Sequence, residues 1–273
     1  MIRRNPITGD PILFAPHRAE RPNVFHESTV CPFCAGNEAH TPLELAHIGE
    51  PWRIRVFPNK YPATDGHEVI VESPQHGATF DSLTPDAATD AVQMYAARYR
   101  AHDDACVTIF KNHGSAAGAS IPHMHSQLIA TPFVPPRIAR EIDAFTRAER
   151  CPLCDPIGDA IDETSHFRWV APHASSFSYE QWIVPRVHAN ELTSDHAGEL
   201  ASLLQRASAA MLGAGDAFNW IFMNFRDAPA AHWYVQIFSR QAVIAGFEIG
   251  SGSAIEVIDP SAVAERFRDQ RRQ

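Results

Sequence analysis

Residues Ile121 to Gln127 read IPHMHSQ: two histidines one residue apart, then a glutamine two further on. In an extended strand, residues i, i+2 and i+4 point to one face, so His123, His125 and Gln127 are expected to share it. If a metal holds His123, the strand is pinned, and His125 stands beside it at a fixed distance with its own ring available. A neutral imidazole is a good nucleophile near pH 7. Attack on phosphorus would give a phosphoramidate, labile enough to pass its group on. Gln127 brings an amide that can hold a phosphoryl oxygen. Just upstream, GSAAGAS (114–120) supplies small residues that let backbone N–H groups approach a phosphate, and Ser120 adds a hydroxyl. The bland alternative is that both histidines bind metal or simply pack.

The metal that would pin His123 is suggested by the cysteines. Four of the five form two C-x-x-C pairs, Cys31 with Cys34 and Cys151 with Cys154. The first pair is followed by His76 and His123, the second by His188 and His232. Two thiolates and two neutral imidazoles make a tetrahedral shell that suits Zn2+, and four protein ligands leave no open position, so such sites are structural. A redox dithiol would need a β-α-β setting that neither pair has. Cys106 opens an apolar stretch and reads as core.

The two cysteine pairs open similar segments, and the motifs downstream of each pair run in the same order. Glu68 stands eight residues before His76, and Glu180 eight before His188. A helical stretch comes next in each half. The first has Thr84 as N-cap, Pro85 in the first turn and a stripe of Ala88, Val92, Tyr95, Ala96 and Tyr99. The second has Ser194 as cap and Leu200, Leu203, Leu204, Ala207 and Met211 as its stripe. Strand-like runs then reach Asn112 and Asn224. The last motif is HMHSQ in one half and HWYVQ (232–236) in the other, with Tyr234 where His125 stands. Tyrosine is a far poorer nucleophile at phosphorus, so one half reads as catalytic and the other as structural. The segment TPFVPPRIARE between them carries prolines that resist both helix interior and central strand, and reads as a crossover.

Strands around one helix, then more strands, predict α+β with an antiparallel sheet. No G-x-G-x-x-G follows a strand, which argues against a dinucleotide fold. The net charge of −9 over 273 residues offers no broad basic face for nucleic acid. No apolar run approaches the roughly 20 residues needed to span a bilayer. The opening MIRRNPITGD has no apolar stretch behind its charges, so a cytoplasmic location is expected.

Several of these stretches stand in the order of a known family. They are NPITGDPILFAPHRAERP (5–22), CPFCAGNE (31–38), RVFPNKYPA (55–63), SPQH (73–76), NHGSAAGASIPHMHSQ (112–127) and AGFEIGSG (245–252). Over nearly its whole length the chain resembles the galactose-1-phosphate uridylyltransferase family of the histidine-triad superfamily, which includes ADP-glucose phosphorylase-like relatives. Met124 departs from the proline that the family often has between the two histidines. The resemblance implies two tandem histidine-triad-like domains with antiparallel sheets and flanking helices, a catalytic one over 1–140 and a degenerate one over 145–273. It implies ping-pong transfer with His125 as the nucleotidylated residue. Arg18, Arg21 and Asn59 match nucleotide contacts. Asn112, Ser120 and Gln127 match phosphate contacts, and Phe247 with Glu248 matches the sugar-binding strand. Cys31, Cys34, His76 and His123 match the first zinc site. The partners implied are a sugar nucleotide, a sugar-1-phosphate or phosphate, and a second copy in a homodimer. UDP-glucose with a hexose-1-phosphate is the first expectation. An ADP-glucose phosphorylase, a nucleotide hydrolase and a non-catalytic zinc-stabilised binding module are the rivals.

Overall fold

The computed structural model describes residues 1–20 and 30–270. Arg21 lies outside the described residues. A short hairpin of β1 (Ile2–Arg4) and β2 (Pro11–Leu13) precedes everything else. The first half then supplies β3 (Ala46–Ile48), β4 (Ile54–Pro58), β5 (Gly66–Val71), helix α1 (Pro85–Arg100), β6 (Cys106–His113) and β7 (His125–Thr131). Helix α2 (Pro136–Arg147) leads into the second half: β8 (Gly158–Glu163), β9 (Phe167–Pro172), β10 (Gln181–Pro185), helix α3 (Ala197–Leu212), β11 (Phe218–Met223) and β12 (Tyr234–Ser239). Two helices, α4 (Gly246–Ser251) and α5 (Pro260–Gln270), close the described chain.

The two expected sheets are merged into one. Ten strands pair in the order β3-β4-β5-β7-β6-β11-β12-β10-β9-β8, antiparallel throughout. Outward from the central β6–β11 pair, the second half repeats the first. At that seam Asn112 faces Asn219, whose Nδ2 donates to Asn112 Oδ1 at 2.7 Å and to Ala117 O at 3.0 Å.

Helices α1 and α3 pack against each other on one face of the sheet, burying Val92, Tyr95 and Tyr99 with Leu200, Leu203 and Leu204. Each large side chain so buried contributes about 1.5–3 kcal/mol. Thr84 caps α1 as its sequence predicts, its Oγ1 accepting from Ala87 N at 3.2 Å. The expected Ser194 cap gives way to His196, at φ 57°, because the chain makes a further turn from Ser194 O to Ala197 N first. The crossover prolines do not exclude a helix: Pro136 sits in the first turn of α2, where a missing N–H costs nothing.

The helix-facing side of the sheet also anchors the candidate catalytic strand. Tyr95 donates to Glu72 and lies 3.1 Å from Ser126 Oγ, and Lys111 donates to the same Glu72. All four are buried. Burial and the nearby Glu72 carboxylate push the Tyr95 phenol well above its ordinary pKa. Ser126 stands between His125 and Gln127 and points the opposite way, so this network grips β7 from behind while those two face the other side. None of the described helices is long and apolar enough to cross a membrane.

Candidate active site

The C-x-x-C turns bring their cysteines beside the histidines that spacing alone pairs with them. Cys31, Cys34, His76 and His123 converge, and so do Cys151, Cys154, His188 and His232, their ligand atoms all within 4.8 Å of one another in each set. Sulfur-to-Nδ1 distances are 3.5 and 3.6 Å on His123, 3.5 Å on His76, 3.5 and 3.6 Å on His232 and 3.6 Å on His188. A tetrahedral ion with bonds of about 2.3 Å to sulfur and about 2.0 Å to nitrogen would separate them by about 3.5 Å. The donor sets therefore fit a tetrahedral metal. His123 directs Nε2 to Ser73 O at 2.7 Å, and His188 directs Nε2 to Pro229 O at 2.9 Å. Each carbonyl accepts the ring proton and leaves Nδ1 bare towards the ion. Burial and the nearby His188 and Arg168 push His232 down to about 4, which keeps its ring neutral.

His123 lies just ahead of β7 rather than within it. Its carbonyl nevertheless fixes the neighbour that matters. His125 Nδ1 is 2.8 Å from His123 O. A carbonyl only accepts, so Nδ1 carries the proton and the neutral ring's lone pair is on Nε2. Phe33, the residue between the two cysteines of the first turn, packs edge-on against the His125 ring at 5.2 Å. The first metal set thus braces His125 twice, through the His123 backbone and through Phe33.

His125 lines a cavity of about 350 Å³ together with Gln127, Ser120, Asn59, Lys60 and Tyr61. Ser120, Asn59, His125 and Gln127 are thereby brought together as sequence reasoning expects. Arg18 reaches the edge of the group, donating to Tyr61 O at 2.6 Å and lying 3.4 Å from His67 Nδ1. Asn112 is held at the β6–β11 seam by Asn219. Phe247 and Glu248 do not line the cavity. They lie on α4, a helix where a strand was expected, and Phe247 is exposed. Glu248 accepts from Ala245 N at 3.1 Å and so starts the helical turn.

His67, Lys60 and Phe33 escape the sequence reading. His67 Nε2 is 3.0 Å from Gln127 Oε1 beneath the cavity, and the ring is buried.

The corresponding place in the second half holds Tyr234. Its hydroxyl donates to Glu141 Oε2 at 3.1 Å and accepts from Arg137 at 3.4 Å, both from α2. Burial and Glu141 push this phenol far above its ordinary pKa, so it cannot act as a phenolate.

This architecture has known counterparts. A model of the galactose-1-phosphate uridyl transferase N-terminal domain matches residues 55–135. The ADP-glucose phosphorylase of Arabidopsis thaliana is 30% identical over 98% of this chain and 92% of its own length. The chain belongs to the galactose-1-phosphate uridylyltransferase family. A second family member, the galactose-1-phosphate uridylyltransferase of Thermotoga maritima, is 26% identical over 98% of both chains. Among solved structures of the family, the Arabidopsis thaliana ADP-glucose phosphorylase with bound ADP-glucose superposes with a TM-score of 0.81, covering 98% of both chains at 30% identity. A uridylyltransferase structure with a TM-score of 0.83, covering 98% of this chain and 97% of its own at 23% identity, shares the fold.

Proposed function

We propose that this protein is a nucleotidylyltransferase that moves a nucleoside monophosphate from a sugar nucleotide to a second phosphate through a covalent bond on His125. The observation that carries the reading is the His125 ring, whose proton is held on Nδ1 by His123 O and which lines one cavity with Asn59, Lys60, Ser120 and Gln127. Nε2 attacks the α-phosphorus of the sugar nucleotide. The P–N bond forms as the bond to the bridging oxygen breaks, and that electron pair leaves on the sugar-1-phosphate. Positive charge develops on the imidazole, and the Nδ1–H···O contact to His123 strengthens as it does. In the second half-reaction an acceptor phosphate oxygen attacks the same phosphorus, and the pair returns to Nε2. No proton need cross the site in either step. Asn59, Lys60, Ser120 and Gln127 hold the phosphate oxygens.

We assign catalysis to the half spanning 1–140 and a supporting role to the half spanning 145–273, where Tyr234 silences the position. Zn2+ suits both Cys2His2 sets and would hold the loops in place without touching substrate. UDP-glucose with a hexose-1-phosphate acceptor is one form of this chemistry. Phosphorolysis of ADP-glucose by inorganic phosphate is the second, favoured by the 30% identity to the Arabidopsis thaliana phosphorylase. Incubation with UDP-glucose or ADP-glucose, followed by intact mass, distinguishes the donors. Chasing the adduct with galactose-1-phosphate or inorganic phosphate distinguishes the acceptors. The expected result is one nucleoside monophosphate per chain, acid-labile and mapped to His125. Two labels per chain, or a label on Tyr234, would sink the assignment of one silent half.

We also propose that the protein works as a homodimer. Val243, Ile244, Phe247 and Ile249 are exposed apolar side chains within a run of seven residues, and clustered exposed apolar surface is where protein–protein contacts form. Sedimentation analysis should find a dimer at micromolar concentration. A monomer there would overturn this part.

A further inference from the structure

The two halves differ in the residue that grips the glutamine of the His-x-x-x-Gln frame. Strand register aligns them: Val69 faces Gln127 on the β5–β7 ladder, and Trp182 faces Gln236 on the β10–β12 ladder. Two residues before each, on the same face, stand His67 and Glu180. Both touch their glutamine, and they hold opposite ends of it.

In the first half Ala63 N donates to His67 Nδ1 at 3.0 Å, and the Arg18 guanidinium, also only a donor, lies 3.4 Å from the same atom. Nδ1 is therefore an acceptor, and the proton of the neutral ring sits on Nε2. Nε2–H then donates to Gln127 Oε1 at 3.0 Å, which leaves the amide NH2 for the cavity that Gln127 lines. Asn59 Nδ2 is 3.2 Å from the same Nε2. Two donors do not bond each other, so on this tautomer the Asn59 contact is not a hydrogen bond and does not compete for the Nε2 proton. In the second half Glu180 can only accept. Its Oε2 takes Ser176 N and Phe177 N, and its Oε1 takes Trp182 Nε1 and Gln236 Nε2, both at 2.6 Å. Gln236, which lines a second cavity, is thereby left with its Oε1 as the spare end, a buried oxygen with no hydrogen-bond partner among the described residues.

A phosphoryl oxygen only accepts. A glutamine held by its oxygen offers it a donor, and one held by its nitrogen offers it a second acceptor and repels it. Resting on the nucleotidyl-transfer reading above, we propose that His67 is a positioning residue: it fixes the Gln127 amide with its NH2 towards the transferred phosphoryl group. The exchange of histidine for Glu180 turns the amide round and makes the second half unfit for phosphate at that point, independently of Tyr234.

The test compares His67→Gln with His67→Glu, each checked for metal content and melting temperature. The quantity read is the single-turnover rate of His125 nucleotidylation between pH 5.5 and 8. His67→Gln keeps a donor for Gln127 Oε1 and should stay within about tenfold of wild type. His67→Glu reproduces the second half and should lose about 100-fold at pH 8, the scale of removing one donor to a transition-state oxygen. As pH falls, the carboxylic acid regains an O–H for Gln127 Oε1. The ratio of His67→Glu to wild-type rate should then climb about tenfold or more towards pH 5.5. Equal losses in both variants with a flat ratio, or a His67→Glu rate within about threefold of wild type, would overturn the proposal. A readout that needs no turnover separates its failure from that of the transfer reading. Imidazole 15N shifts of His67 should place the proton on Nε2, and a proton on Nδ1 would sink the proposal whether or not wild type forms an adduct.

Discussion

His125→Ala is expected to abolish the covalent adduct and slow nucleotidyl transfer at least about 100-fold, while both metal sets and the fold remain. The loss of a covalent nucleophile removes several kcal/mol of transition-state stabilisation. No neighbour can replace it. His67 has its Nε2 proton committed to Gln127, and its Nδ1 receives Ala63 N. His123 faces the cysteines through Nδ1 and Ser73 O through Nε2. Tyr234 lies in the other half with a phenol that burial keeps protonated. The fold should survive because β7 is held by its ladders to β5 and β6 and by Ser126 from behind, none of which uses the His125 ring. The measurement is intact mass after incubation with each sugar nucleotide, with the transfer rate alongside. A variant that keeps more than about a hundredth of the wild-type rate would contradict covalent catalysis at His125.

How far such a site can be read from the chain depends on what kind of constraint each residue obeys. The eight cysteine and histidine positions are legible because ligand chemistry admits few residue types, and a C-x-x-C turn brings two thiols to one point whatever surrounds it. His125 is legible for the same reason, being two residues from a ligand. The grip on Gln127 is not. Counting back from His76 and His188 sets Glu68 against Glu180, but the ladders set His67 there and give Glu68 the place that Gln181 holds in the second half. One loop residue separates the two counts, and a one-residue slip moves a side chain to the other face of the sheet. Glu68 in fact faces the helices, where Arg98 and His102 hold it at 2.6 and 2.8 Å. The hydrogen-bond register records only paired residues, and a sequence spacing cannot tell those from the loop. The merged sheet is hidden for a related reason. Nothing local in Asn112 or Asn219 says that their strands, 107 residues apart, share an edge.

Cys31→Ser should cost the protein both stability and rate, and Cys154→Ser mainly stability. Elemental analysis of wild type is expected to find two ions per chain, and each variant should lose about one. A serine hydroxyl is a weak ligand, and the free energy of binding a structural ion is folding free energy for the loops it ties. Without the cation, burial and the partner thiol push Cys34 and Cys154 above the ordinary thiol pKa, so neither pair holds itself together as thiolates. The asymmetry comes from what each set supports. The first set carries Phe33, which packs on Phe57 at 5.5 Å and on His125 at 5.2 Å, and His123, whose carbonyl holds the Nδ1 proton of His125. Loosening that set frees the His125 ring to rotate and to exchange its tautomer, which removes the lone pair from the attacking position. The second set adjoins Tyr234 and Leu153, to which the proposed mechanism gives no role in the transfer. At a temperature where circular dichroism shows both variants folded, Cys31→Ser should fall more than about tenfold in single-turnover rate, and Cys154→Ser should stay within about threefold of wild type. A Cys31→Ser protein that has lost its ion, melts lower and still labels His125 at the wild-type rate would show that the metal holds the fold without holding the nucleophile.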